Sequence, residues 1–146
     1  MYPTFESGEY LIVDQMSYRF SEPERGDVIV FRFPQDKSKF FIKRIIGLPG
    51  ETIEVAERET AITNVNGNSF ILPEEYIEKE KSNVPQVVTL TDNEYFVMGD
   101  NRLESLDSRI WGPLKKEDIV GHAMVRLLPF SRIDWQPGEI FYEQIN

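Results

Sequence analysis

At 146 residues the chain is long enough for one domain and too short for two full-sized ones. Hydrophobic residues make up 40% and aromatics 12%, which supplies a core and excludes wholesale disorder. With 25 acidic residues against 16 basic ones the formal net charge is −9, the wrong sign for phosphate recognition, so no nucleic-acid partner is expected.

The absence of cysteine excludes disulfides, thiol catalysis and cysteine-based zinc sites, and a single histidine, His122, excludes a multi-histidine metal centre. No apolar run approaches the roughly 18–20 residues a membrane helix needs, and no charged segment with an apolar stretch behind it reads as a signal peptide.

In chain order the pattern is mostly β. Tyr10–Val13 is a short apolar run, and Asp27–Phe33 is β-branched and aromatic between Arg25-Gly26 and Pro34. Lys39–Ile46 is a third strand, ending at Gly47-Leu48-Pro49-Gly50, where Pro-Gly suits a type II turn. Glu51–Val55 alternates polar and apolar residues, as a half-buried strand does. Ala61–Val65 follows, with Asn66-Gly67 as a hairpin turn signal. Leu72–Pro85 is charged, lacks strand alternation and reads as an exposed excursion. Glu94–Met98 and Ile119–Leu128 are the last strands; Pro73–Ile77 and Pro113–Asp118 offer at most short helical turns. Short strands with frequent turns predict a mainly β domain, a barrel or coiled sheet with few short helices. Only a small β insertion, around residues 58–92, is expected within a single domain spanning 1–146.

Three features bear on chemistry. His122 lies inside a strand with no serine nucleophile motif nearby, which favours a structural role. Strand alternation places Lys43 on one face with Phe41 and Ile45, and Arg44 on the other with Ile42 and Ile46. A lysine on an apolar face loses hydration, its pKa falls, and the neutral amine becomes a competent base for a hydroxyl. The plainer alternative is an edge-strand lysine that snorkels to water. Between Met98 and Pro113, acids, arginines and serines crowd one turn-rich stretch, as in a loop held by ion pairs and hydrogen bonds. Asp100, Asn101 and Asp107 could supply oxygen ligands, but their spacing is not that of a calcium-binding loop, and no metal is expected.

Taken together, these segments resemble bacterial type I signal peptidase, the membrane-bound leader peptidase with a Ser-Lys dyad. Met1-Tyr2-Pro3-Thr4 is similar to the tail of the family's Ser-Met-x-Pro-Thr box. Arg25–Phe31 resembles its Arg-Gly-Asp-hydrophobic strand, and Lys43-Arg44-Ile45-Ile46-Gly47-Leu48-Pro49-Gly50-Glu51 its lysine box. Gly99-Asp100-Asn101-Arg102, Ser105, Asp107-Ser108-Arg109 and Gly112 resemble its final box. The order is the family's, and the match covers nearly the whole chain.

The resemblance implies a serine endopeptidase that removes signal peptides from exported preproteins, without cofactor or metal. It implies Lys43 as general base, Ser105 as the residue orienting its amine, and Arg44–Asp100 and Asp107–Arg109 as structural pairs. Met1, Pro3, Phe41 and Ile42 would border an extended signal-peptide segment bound by strand addition. The intact family member is anchored in the cytoplasmic membrane, with its site on the outer side at the bilayer surface.

The family nucleophile is the serine directly before the Met-x-Pro-Thr stretch. These 146 residues begin after it, without the anchor, and are expected to be soluble and inactive by themselves. Ser7 falls in a turn beyond that position and is not expected to replace it. The rival readings are a non-catalytic β-module that binds extended peptides and a self-cleaving repressor-type peptidase domain, which lacks the final box.

Overall fold

Runs rich in Val, Ile, Phe and Tyr form the strands, and Gly, Pro, Asn and Asp punctuate them. The computed structural model describes residues 1–6, 8–57, 59–77, 85–128, 133–138, 140 and 142. Ser7, and residues 58 and 78–84 of the expected insertion, lie outside the described residues.

The strands are β1 (Tyr10–Asp14), β2 (Val28–Phe33), β3 (Asp36–Gly47), β4 (Thr52–Val55), β5 (Thr60–Thr63) and β6 (Ser69–Ile71). They continue with β7 (Gln86–Thr89), β8 (Glu94–Met98), β9 (Leu114–Lys115), β10 (Ile119–Leu128) and β11 (Asp134–Trp135). The single α-helix among the described residues is α1 (Ser108–Trp111). The chain is mainly β, as the sequence predicts. Among the described residues no helix is long and apolar enough to cross a membrane.

One antiparallel sheet runs β1-β10-β2-β3-β8-β9, with β11 also on β10. The second runs β6-β5-β4-β7 and interrupts the chain between β3 and β8. It begins at Thr52, ahead of the residue 58 expected for the insertion. The Leu48–Glu51 turn that leads into it closes through Glu51 N–H to Leu48 C=O at 3.2 Å, and Gly50 takes a φ of 78°. Arg25 bridges both carboxylate oxygens of Glu51 at 2.6 and 2.9 Å, and that carboxylate also accepts from Leu48 N–H at 2.8 Å. The two sheets share a core: Ile46, Phe96 and Met98 of the large sheet pack with Ile53, Val55 and Ile62 of the small one. The opposite face of β2, β3 and β8 buries Ile29, Phe31, Ile45 and Val97.

Pro73–Ile77 holds the single short turn the sequence offered, closed by Ile77 N–H to Glu74 C=O at 3.2 Å. Several elements differ from the sequence reading. The segment from Leu72 is not an exposed excursion at its start: Leu72 is buried and Tyr76 half-buried, held by partners distant in sequence. Helix α1 lies inside the polar final stretch, where Asp107 caps it by accepting Arg109 N–H at 3.2 Å. Pro113–Asp118 becomes strand β9 and a 3₁₀ turn at Lys116–Asp118. Strands β6 and β11 carry too few residues for alternation to reveal them, and β7 sets two valines side by side, which hides its alternation.

Candidate active site

β3 is longer than its partner on one side. Along β2 it pairs continuously from Arg32↔Phe40 to Val28↔Arg44. Along β8 it pairs only from Arg44↔Met98 to Gly47↔Phe96. Ile45 directs both its N–H and its C=O toward the β2 side, where they bond Asp27 O and Gly26 N at 2.9 and 3.0 Å. Backbone groups alternate edge along a strand, so those of Ile42 and Phe40 face the other side, beyond the reach of β8. Ahead of Lys43, β3 therefore offers an edge that is open among the described residues.

Lys43 stands at the end of that edge, over the Phe41 ring with its ammonium 5.5 Å from the centroid. Its Nζ donates to the carbonyl of Ile42 at 3.0 Å. Burial lowers the Lys43 pKa, with Arg109 adding to the effect, while Asp107 and Asp100 pull it back up. A cleft of about 420 Å³ opens beside it, lined in part by Met1, Phe41, Ile42, Lys43 and Ser105.

Ser105 and Lys43 both border Gly99, although the Lys43 amine bonds the Ile42 carbonyl and not Ser105 Oγ. A methyl group placed at Gly99 would lie 2.2 Å from Ser105 Oγ and 3.5 Å from Lys43 Cδ, so only glycine fits this floor. Ser105 Oγ is buried and makes no hydrogen bond of normal geometry among the described residues. It does lie near enough to Asp107 to favour the ionised carboxylate. Burial pushes the Asp107 carboxyl up; the Arg109 guanidinium, the nearby Ser105 hydroxyl and the Gly99 N–H together outweigh it and hold it below its ordinary value. Asp107 accepts Arg109 Nε and Nη2, each at 2.8 Å, and Gly99 N–H at 3.0 Å. The pair thus fastens the segment carrying Ser105 to the end of β8.

Arg44, on the opposite face, makes a fork to Asp100 at 3.0 and 2.8 Å, with both side chains 0% exposed. Its Nη1 donates to Gly26 O at 2.9 Å and to Gly138 O. Thr4 Oγ1 also donates to Asp100, and Arg126 reaches the Thr4 carbonyl. These contacts bring the N-terminal segment to the lysine. Met1 packs with Ile42 against Phe5, Val28 and Ala123. Burial and then Lys43 hold the Met1 α-amine below its ordinary value, against the pull of Asp100. Pro3 lines a neighbouring hollow with Tyr2, Ile77 and Leu103, not the Lys43 cleft itself.

His122 stays outside the site. It is paired with Ile29, which is paired with Lys43, so it stands two strands or about 9–10 Å from the lysine. Its ring packs near Tyr18, with centroids 6.2 Å apart. Among the described residues no group of three or more His, Cys, Asp or Glu is placed to hold a metal ion. Sequence reasoning assigned no role to Thr4, Arg102, Glu74 or Tyr76. Thr4 and Arg102 lie within recognisable boxes, whereas Glu74 and Tyr76 carry no local signal.

Comparison with known proteins follows the same lines. The sequence model described as signal peptidase, peptidase S26, matches residues 1–128. The chain is 44% identical over 140 residues to the probable signal peptidase I-1 of Synechocystis sp., covering 90% of this chain and 68% of that one. It is 39% identical over 141 residues to signal peptidase I of Leptolyngbya laminosa, covering 91% and 66%. The chain thus spans about two thirds of the length of these relatives. A crystal structure of a signal peptidase I from Enterococcus faecalis superposes with a TM-score of 0.58 at 33% identity, over 70% of this chain and 97% of that one.

Proposed function

The chain belongs to the signal peptidase family, peptidase S26, and from that premise we propose that it is the Ser-Lys catalytic domain that removes signal peptides from exported preproteins. The observation that carries this reading is a partly buried lysine of lowered pKa at the end of an open strand edge, with the Met1 amine close enough to feel its charge. A serine directly before Met1 would sit beside Lys43. Its Oγ would attack the scissile carbonyl carbon while the neutral Lys43 amine takes its proton. As the tetrahedral intermediate collapses, the ammonium returns that proton to the departing amine. Lys43 then deprotonates the water that cleaves the acyl-enzyme.

The open edge at Phe40–Ile42 suits an extended signal-peptide segment added as a further strand, with Met1, Phe41 and Ile42 against its side chains and Pro3 shaping the adjoining hollow. An incoming peptide N–H competes for the Ile42 carbonyl that Lys43 occupies, so peptide addition frees the amine toward the nucleophile. Ser105 then receives it across Gly99, and Arg44–Asp100 and Asp107–Arg109 hold the two walls. Tyr2, Phe40, Leu103 and Leu106 project around the same region, between 43% and 54% exposed, an apolar rim suited to a bilayer surface. That rim fits a domain working on the outer side of the cytoplasmic membrane.

The test compares the 146-residue chain with one carrying a serine before Met1, on a peptide in which a small-x-small signal-peptide motif is followed by the scissile bond and several further residues. Cleavage is expected only with the added serine, and Lys43→Ala should abolish it. Equal cleavage by the Lys43→Ala variant, or Lys43-dependent cleavage without the added serine, overturns the assignment.

A further inference from the structure

The floor beneath Lys43 and Ser105 is a single residue, Gly99, and both of its backbone polar groups are pinned. Its N–H donates to Asp107 at 3.0 Å, and its carbonyl accepts Arg102 Nε at 3.0 Å. Arg102 is itself held from the far side. Its Nη2 donates to Glu74 and lies 3.3 Å from the Tyr76 hydroxyl. The side chains of Arg102 and Glu74 are 1% and 2% exposed. The Tyr76 ring covers Arg44, whose guanidinium carbon is 4.3 Å from the ring centroid. Glu74 and Tyr76 thus reach both walls of the site from the segment that leaves the small sheet.

A buried ion pair contributes little to net stability, because desolvation of the two charges offsets most of their attraction. Its geometry is what it fixes. Lys43 as base needs a dry, defined resting place, and a shift in the Gly99 peptide moves the surface on which both Lys43 and Ser105 lie. We propose that Glu74 and Tyr76 are positioning residues of the catalytic centre, acting through Arg102 on the Gly99 peptide to keep Lys43 dry and aligned. The proposal rests on the reading of Lys43 as general base. The charged groups facing Lys43 are Asp100, Asp107 and Arg109 from the final segment and the Met1 amine, with Glu104 on the same cleft. None of them is altered in the variants below.

The experiment titrates Lys43 by NMR, using lysine labelled at the ε-carbon, in the parent chain, Glu74→Asp and Tyr76→Phe. Both variants keep the formal charge at neutral pH; the first shortens the reach to Arg102 and the second removes the hydroxyl. The Lys43 midpoint is expected to rise toward the ordinary lysine value by roughly 0.5–1 pH unit in each. Val87→Ala, on the exposed side of the small sheet, should leave it unmoved. In the serine-bearing chain the pH–kcat/KM profile should move by the same amount with KM little changed. Folded variants whose Lys43 titrates as in the parent overturn the proposal, and Tyr76→Phe alone suffices should Glu74→Asp fail to fold. A parent Lys43 that titrates as an ordinary lysine overturns the base assignment and this proposal with it, which separates the two failures.

Discussion

Burial takes hydration from the Lys43 ammonium, and Asp107 and Asp100 return only part of it. The folded pKa therefore lies below the ordinary 10.5 that the unfolded chain retains. Between those values the unfolded state binds more protons, so stability rises with pH across the window and the penalty is complete below it. Lys43→Met should then stabilise the protein at pH 7 by roughly 0.5–2 kcal/mol, a gain that shrinks as pH approaches 10.5. Urea unfolding at pH 7 and pH 10 measures it; a variant less stable than the parent at pH 7 contradicts the desolvation account. Activity in the serine-bearing chain should rise with pH through the same window, because only the neutral amine accepts a proton. The opposite facing of Lys43 and Arg44 was legible in strand alternation, while the separate roles expected of them came from the family resemblance. The roles of Glu74 and Tyr76 were not legible, since nothing local distinguishes a buried glutamate from the exposed ones around it.

At the scale of elements, the decisive feature is the mismatch between β3 and β8. Twelve residues of β3 face five of β8, and among the described residues the surplus leaves an unpaired edge beside the lysine. Ile42 directs its N–H to that edge, so Ile42→Pro should remove a substrate hydrogen bond without breaking a β2–β3 bond. Peptide binding is expected to weaken by about 0.5–1.5 kcal/mol, or roughly 2–10-fold, with the unfolding midpoint nearly unchanged. Isothermal titration with a non-cleavable peptide and a melting curve read the two quantities. A large loss of stability with unchanged binding would show that Ile42 faces β2 instead. The sequence marked β3 as a strand, but which strands flank it, and how far, depends on register set by distant residues. Helix α1 shows the same limit: its cap, Asp107, was read as half of an ion pair, and it serves both roles.

At the scale of the molecule, distant segments converge on one buried guanidinium. Arg44 collects Asp100 from the end of β8, Gly26 from the turn before β2, and Gly138 from the tail beyond β10. The tail adds Tyr142, which packs on the shared core and lies 3.3 Å from the Pro73 carbonyl through its hydroxyl. Removing residues 133–146 deletes one acceptor of a buried charge and an aromatic contact, and should cost about 2–4 kcal/mol. Urea denaturation checks this; an unchanged midpoint would mean that the tail adds nothing to the fold. The truncated chain should also lose Lys43-dependent cleavage once a serine precedes Met1, because Thr4 and Arg44 share Asp100.

By itself the sequence determined the mainly β class, the strands long enough to alternate visibly, the opposite facing of Lys43 and Arg44, and, through its boxes, the family. Each of these is written within a window of a few residues, where periodicity, turn chemistry and motif spacing act. Only the tertiary structure decided the open edge of β3, the second four-stranded sheet beginning at Thr52, the Gly99 floor, and the approach of Glu74 and Tyr76 to the site. Those features arise where the chain returns to itself over tens of residues. There the partner of a polar group is chosen by which strands pair and which charges must be matched when water is excluded.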